Sequence, residues 1–231
     1  MRAIAMSIMV IRNNMTRFFT SDTHFSHRNV IPYCDRPYKD IEEMNSEMTR
    51  IWNETVKPED EIIFLGDLDI NPKRFHRDSL HTLNGIKKLL IVGNHDLGFE
   101  HIKTRGPSQK ILAERQKLVD FGWEEVCQRK IITLKNGQAV LLSHLPFLEG
   151  NEEFDLRYKD LRPKDEGLVI IHGHQHARYI KSGQQIDVGF DGKLGLYSED
   201  EIIELINDPR ENIESRITEF YKQSKPRVLE K

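Results

Sequence analysis

Five apolar segments of this chain each run straight into residues of the types that ligate divalent cations, and this recurrence constrains the fold more than any other feature. Arg17 to Thr20 leads into Asp22-Thr23-His24. Ile62 to Leu65 leads into Gly66-Asp67, and Lys88 to Val92 into Gly93-Asn94-His95-Asp96. Ala139 to Ser143 leads to His144, and Leu168 to Ile171 into Gly173-His174-Gln175-His176. Runs of this length closed by glycine or polar residues read as buried strands. In open α/β sheets, sites lie beyond the carboxyl ends of the strands. The five segments are therefore expected to deliver their polar residues to one rim.

The intervening segments fit that frame. Ile41, Met44, Met48, Ile51 and Trp52 have helical spacing over residues 40–53, and Pro58 ends the region. Pro72 is suited to open a second helix, reaching about Leu83. Residues 110–120 predict another helix. Asn136-Gly137, between Lys130–Leu134 and Ala139–Ser143, predicts a hairpin with a tight turn. Residues 147–166 are polar and charged, as in a long functional loop. Gln185 to Val188 predicts a further strand, and Ser198 caps a last core helix, residues 199–206, stopped by Pro209. No internal repeat or linker divides the chain. The expected organisation is an extension over residues 1–15, an α/β domain over 16–206 and a polar helix or tail over 207–231.

The residue types specify the chemistry. Carboxylate, amide oxygen and imidazole together suit manganese, iron, nickel, cobalt or zinc, and the absence of thiolate argues against a structural zinc knot. Residues two apart on an extended chain share a side, so Asp22 can converge with His24, and His174 with His176. Two neighbouring ions need a bridging ligand, for which a carboxylate such as Asp67 is suited. A pair of ions can activate water and neutralise phosphate oxygens. An imidazole outside the ligand set can protonate a leaving oxygen.

The ordered series D-x-H, G-D, G-N-H-D, a lone His and G-H-x-H resembles the signature of calcineurin-like metallophosphoesterases, from about Thr16 to Ile206. The segments FTSDTHFSHRNVIPYCDRPY and IHGHQHARYIKSGQQIDVGFD resemble the small bacterial and phage branch of that superfamily. The resemblance implies an α/β four-layer αββα sandwich with two mixed β-sheets. It implies one divalent ion on Asp22, His24, Asp67 and His176, and a second on Asp67, Asn94, His144 and His174. His95 would then be the general acid, or would stabilise the transition state. Many relatives carry an acidic or amide residue three positions after the second-motif aspartate. Here Ile70 stands there, with Asp69 one residue early. Asp69 and Asp96 are the candidates to orient His95.

Other residues carry weaker expectations. Asn29 and Arg36 follow the first motif and are candidates for a substrate wall, Arg36 as a bidentate phosphate grip. His27 and Arg28 are better read as loop residues, and His172 as a strand position. His76, His81 and His101 lie outside the constellation. Lys103, Arg105, Lys110, Arg157, Arg162 and Lys164 could line a groove for an anionic polymer. The net charge of −3 speaks against binding nucleic acid by bulk electrostatics, so nucleic acid is not the favoured partner. Cys34 and Cys127, widely spaced, read as reduced thiols of a cytoplasmic protein. The apolar stretch from Ala3 to Ile11 is too short to span a bilayer, and Met15 is the suspected natural start. The expected activity is hydrolysis of phosphate esters, diesters of small or nucleotide-like substrates before monoesters. The expected cofactor is two divalent ions, manganese first. The alternatives are a nuclease with the same site and a metal-binding regulatory module without turnover. Substrate identity and oligomeric state are not legible.

Overall fold

The computed structural model describes residues 15–71, 75, 78–102, 106–148 and 158–223. Residues 1–14 of the expected 1–15 extension lie outside them, as does most of the helix expected from Pro72. Eleven strands and five α-helices are present among the described residues. The strands are β1 (Arg17–Thr20), β2 (Glu61–Phe64), β3 (Ile86–Ile91), β4 (Glu125–Cys127), β5 (Arg129–Thr133), β6 (Ala139–Ser143), β7 (Val169–His172), β8 (Tyr179–Ser182), β9 (Gln185–Asp187), β10 (Tyr197–Ser198) and β11 (Asn212–Glu214). The helices are α1 (Val30–Tyr33), α2 (Ile41–Thr55), α3 (Gln109–Asp120), α4 (Glu199–Asn207) and α5 (Thr218–Gln223).

Two mixed sheets form. The first has the order β10-β1-β2-β3-β4 and the second β11-β8-β9-β7-β6-β5. Strands β1 to β4 run parallel, and β10 closes one edge antiparallel to β1. In the second sheet β6, β7 and β9 are mutually parallel, while β5, β8 and β11 join antiparallel. This is the expected α/β architecture with two mixed sheets. Strand β11 lies beyond the residue 206 boundary expected for the domain, and it extends the second sheet.

Alternation along the strands builds two cores. Phe18, Ile62, Phe64, Leu90 and Val92 face the helices, where Met44, Met48 and Trp52 of α2 and Leu118 of α3 cover them. Phe19, Ile63, Leu65, Leu89 and Ile91 face the second sheet and meet Val140, Leu142, Ile171 and Ile186. The central strands are apolar on both faces because both faces are covered. Helix α2 begins where the Asp40 side chain accepts from Glu43 N, 2.9 Å away. Its buried residues fall four apart, so they form one stripe.

Parallel alignment sends the carboxyl ends of β1, β2 and β3 to the same side of the first sheet. The ends of β6, β7 and β9 do likewise in the second. The two rims are tied together: Ser21 N donates to Val188 O at 3.1 Å, Phe190 N to Ser21 O at 2.9 Å, and His174 N to Asp22 Oδ2 at 2.9 Å.

Candidate metal centre

The tied rims bring all seven expected ligands into one cluster, in which Asp22, His24, Asp67, His144 and His174 are buried and Asn94 and His176 half-buried. A single oxygen, Oδ2 of Asp67, lies 3.6 Å from Nε2 of His24 and 3.4 Å from Nε2 of His144. On the His24 side, Asp22, His24 and His176 converge, with His24 Nε2 3.9 Å from Asp22 Oδ1. On the His144 side, Asn94 Oδ1 lies 3.2 Å from His144 Nε2 and 2.8 Å from His174 Nδ1. Metal–ligand bonds of about 2.0–2.2 Å place donor atoms of one ion about 3–3.5 Å apart. The spacings on both sides of Asp67 suit that requirement.

The backbone is strained where it supplies these donors. Asp22, His24, Asp67, His174 and His176 all have positive φ, between 47° and 71°. Such conformations cost of order 1–3 kcal/mol each and persist only where the surroundings enforce them. Two glycines allow the required close approach. A Cβ on Gly93 would stand 2.2 Å from Asp67 Oδ1, and one on Gly173 would stand 2.4 Å from Asp22 Oδ2. The glycine before Asn94 and the glycine before His174 therefore make room for a ligand from another strand.

Neighbouring groups aim the donors. His144 Nδ1 donates to Leu65 O at 2.7 Å, which leaves the lone pair on Nε2, facing Asp67 and Asn94. His176 Nδ1 donates to Asp191 Oδ2 at 2.9 Å, with the same effect on its Nε2. Asp22 Oδ2 is held by Ser21 Oγ at 2.6 Å and His174 N at 2.9 Å. Its Oδ1 is buried without a hydrogen-bond partner, as is His24 Nδ1. An unsatisfied buried carboxylate oxygen beside an imidazole is costly, and a cation would satisfy it. The donor set thus fits a pair of divalent ions.

Charge is distributed accordingly. Burial opposes ionisation of Asp67, but the His144, His24 and His95 imidazoles override it and hold the carboxyl well below its usual range. Burial also opposes protonation of His144, yet Asp67 and Asp22 push it up to about 9. His24 is held well below its ordinary value, chiefly by burial. Asp96 and Asp187 are pushed up to about 7 and about 8 by burial, then by Asp67 and Asp22 respectively.

The remaining expected residues are placed as follows. His95 is exposed. Its N–H donates to Asp67 Oδ1 at 2.9 Å, and its ring stands edge-on to His24 with centroids 5.4 Å apart. Asp96 is turned to the backbone, accepting from Asp67 N and Gly93 N at 2.8 Å each. Asp69 is buried and accepts from Asn71 N, while Ile70 is exposed. Asn29 is an exposed residue ahead of α1, its side chain making no capping bond. Arg36 does not line a substrate wall. Its guanidinium is fully buried and spans both oxygens of Asp191 and the carbonyls of Asp22 and Thr23, so it has no face for a phosphate. His27 packs its ring 5.6 Å from that of His24. His172 fills the last position of β7 and is pushed down to about 3, chiefly by burial. Sequence reasoning passed over Asp191 and Cys34, the neighbours of His176 Nδ1. Asp191 follows the last motif closely, within DVGFDG, which is the one signal that marks it.

The calcineurin-like phosphoesterase superfamily domain matches residues 15–204. The chain belongs to that superfamily. Membership makes it a metal-dependent phosphoesterase by family, with a phosphate ester as the class of substrate. The chain is 31% identical to the gene 66 protein of Mycobacterium phage D29, over 85% of this chain and 98% of that protein. It is 32% identical to the gene 66 protein of Mycobacterium phage L5, over 82% and 93%. An uncharacterised protein of Methanocaldococcus jannaschii is 31% identical over 71% of this chain and 70% of its own. The crystal structure of a protein of unknown function from Aquifex aeolicus aligns with a TM-score of 0.55 and 25% identity, covering 84% of this chain and all of that one. These relatives place the phosphoesterase in the small phage and archaeal branch. No helix among its described residues is long and apolar enough to cross a membrane.

Proposed function

We propose that this phosphoesterase is a binuclear enzyme that hydrolyses phosphodiesters of small or nucleotide-like substrates. Asp22, His24, Asp67 and His176 would hold one ion, and Asp67, Asn94, His144 and His174 the other, with manganese the first candidate. The observation that carries the reading is the single Asp67 oxygen placed between two imidazoles of two donor sets. When bound, the ions would supply an activated water and positive charge for the phosphate oxygens. The protein's own part is positioning and proton delivery. Donors with fixed tautomers would present preorganised charge, and the exposed His95 ring beside His24 would give a proton to a departing oxygen.

The family match covers 190 of the 231 residues (15–204), and diester before monoester is the reading within it that the test below decides. Of the groove residues on which a nuclease reading would rest, Arg162 is buried, Lys110 and Lys164 are exposed, and Lys103, Arg105 and Arg157 lie outside the described residues. The test is hydrolysis of bis-p-nitrophenyl phosphate against p-nitrophenyl phosphate by chelator-stripped protein resupplied with Mn, Ni, Co, Fe or Zn. Turnover of the diester that Asp67→Asn reduces by about 100-fold or more is expected. Inactivity with every metal, or full activity of Asp67→Asn, overturns the proposal.

A further inference from the structure

Two charged side chains outside the ligand set are buried against it. Arg36 comes from the segment between α1 and α2, and Asp191 from the turn after β9. Both side chains have no exposed surface. Arg36 Nε donates to Asp191 Oδ1 at 2.7 Å and Nη2 donates to Oδ2 at 3.0 Å, a bidentate pair. The same guanidinium donates to Asp22 O at 2.8 Å and Thr23 O at 2.7 Å. Asp191 Oδ2 in turn accepts from His176 Nδ1. One ion pair therefore joins the first ligand motif to the last, across 155 residues of sequence.

A buried pair of this kind is a weak source of stability, because desolvation of both charges offsets their attraction. Its contacts are better explained by geometry. The two carbonyls that Arg36 holds belong to the segment in which Asp22 and His24 adopt positive φ. The carboxylate it holds fixes which nitrogen of His176 keeps a lone pair. We propose that Arg36 and Asp191 are positioning residues for one half of the metal centre, the half formed by Asp22, His24 and His176. They set the strained backbone of the first motif and the tautomer of the last imidazole at once. The other half relies on Leu65 O for His144 instead, and does not use this pair. Cys34 Sγ lies 3.2 Å from His176 Nδ1 and shares the same corner. A cation seated on Cys34, His176 and Asp191 is disfavoured, because Arg36 already spans both Asp191 oxygens.

The inference rests on the two-ion reading above, and its test separates the two. The full chain is stripped with chelator and titrated with Mn²⁺ alone, following stoichiometry and affinity by calorimetry, with the melting temperature of each apoprotein measured alongside. Wild type should bind two ions. Asp191→Asn keeps the shape and removes the charge. It should weaken one ion by about 10–100-fold and leave the other within a few-fold; because the Arg36 charge then loses its buried partner, the apoprotein's melting temperature should also fall, and the difference between the two ions is the readout. Combining it with Asn94→Ala should then weaken both ions. Arg36→Lys, which keeps the charge without the fork, should show the same selectivity in milder form and serves if Asp191→Asn does not fold. Equal weakening of both ions in step with lost apoprotein stability, or no weakening at all, overturns the positioning role alone. Failure of wild type to bind two ions overturns the two-ion reading, and the inference with it.

Discussion

Asp67 has one carboxylate oxygen within 3.6 Å of two imidazoles, while its other oxygen takes the His95 N–H. Ligand and acid are thus joined through one residue, and their roles separate by experiment. Replacing His95 with alanine removes an exposed ring but leaves the N–H that binds Asp67. That variant is expected to lose about 100-fold or more in turnover, the usual size of acid catalysis, while still taking up two ions by metal analysis. Metal affinity should also depend on pH. His144 is pushed up to about 9 in the metal-free cluster, so below that pH a cation must displace its proton. Each unit of acidification below about 9 then weakens that half by up to about tenfold. Mn²⁺ titrations at pH 6, 7 and 8 would show this slope, and flat affinity would contradict it. The candidate ligands were legible because each sits where an apolar run ends. The positive φ of Asp22, His24, Asp67, His174 and His176 was not, since aspartate and histidine are only enriched in that region and most of them lie outside it. Arg36 was misplaced for a related reason: its partner Asp191 is 155 residues away, and no local pattern distinguishes a buried guanidinium from a phosphate grip.

The elements that build the centre were legible in proportion to their length and burial. Helix α2, the hairpin of β5 and β6, and the buried strands β1, β2, β3 and β7 follow the apolar pattern. The strands that sequence reading passed over are β4, β8, β10 and β11, each two to four residues long. Two residues cannot show alternation, and strands such as Asn212–Glu214 are mostly exposed edges. Helix α4 shows the opposite case, where a local signal was sufficient. Ser198 Oγ accepts from Glu201 N at 3.3 Å and the Glu201 carboxylate accepts from Ser198 N at 2.7 Å, a capping box. This cap anchors the helix that carries Ile202 into the inter-sheet core. Ser198→Ala should cost about 1 kcal/mol and, in a chain this size, lower the melting temperature by about 2–4 °C. Because α4 contributes no ligand, the Mn²⁺ stoichiometry should stay at two. A loss of metal binding in this variant would mean that α4 positions the site.

At the scale of the whole molecule, the two sheets are held together by the apolar layer between them and by the rims that carry the ligands. Asp22, Asp67 and Asn94 follow strands of the first sheet, while His144, His174 and His176 follow strands of the second. An ion shared between these groups would bind the folded chain and have no comparable site in the unfolded one. The buried Asp22 Oδ1 has no hydrogen-bond partner, and a cation there would offset the cost of its burial. Metal should therefore stabilise the entire sandwich, not only its rim. Free Mn²⁺ at 100 times its dissociation constant would add about 2.7 kcal/mol for each ion. For a chain of this length that corresponds to a rise of about 5–10 °C per ion. Thermal unfolding with chelator and with increasing Mn²⁺ measures this directly. The melting temperature should climb with the logarithm of metal concentration, and the slope should halve in Asn94→Ala if that residue's ion is lost. A melting temperature insensitive to metal would mean that the ligands do not bridge the two sheets through an ion.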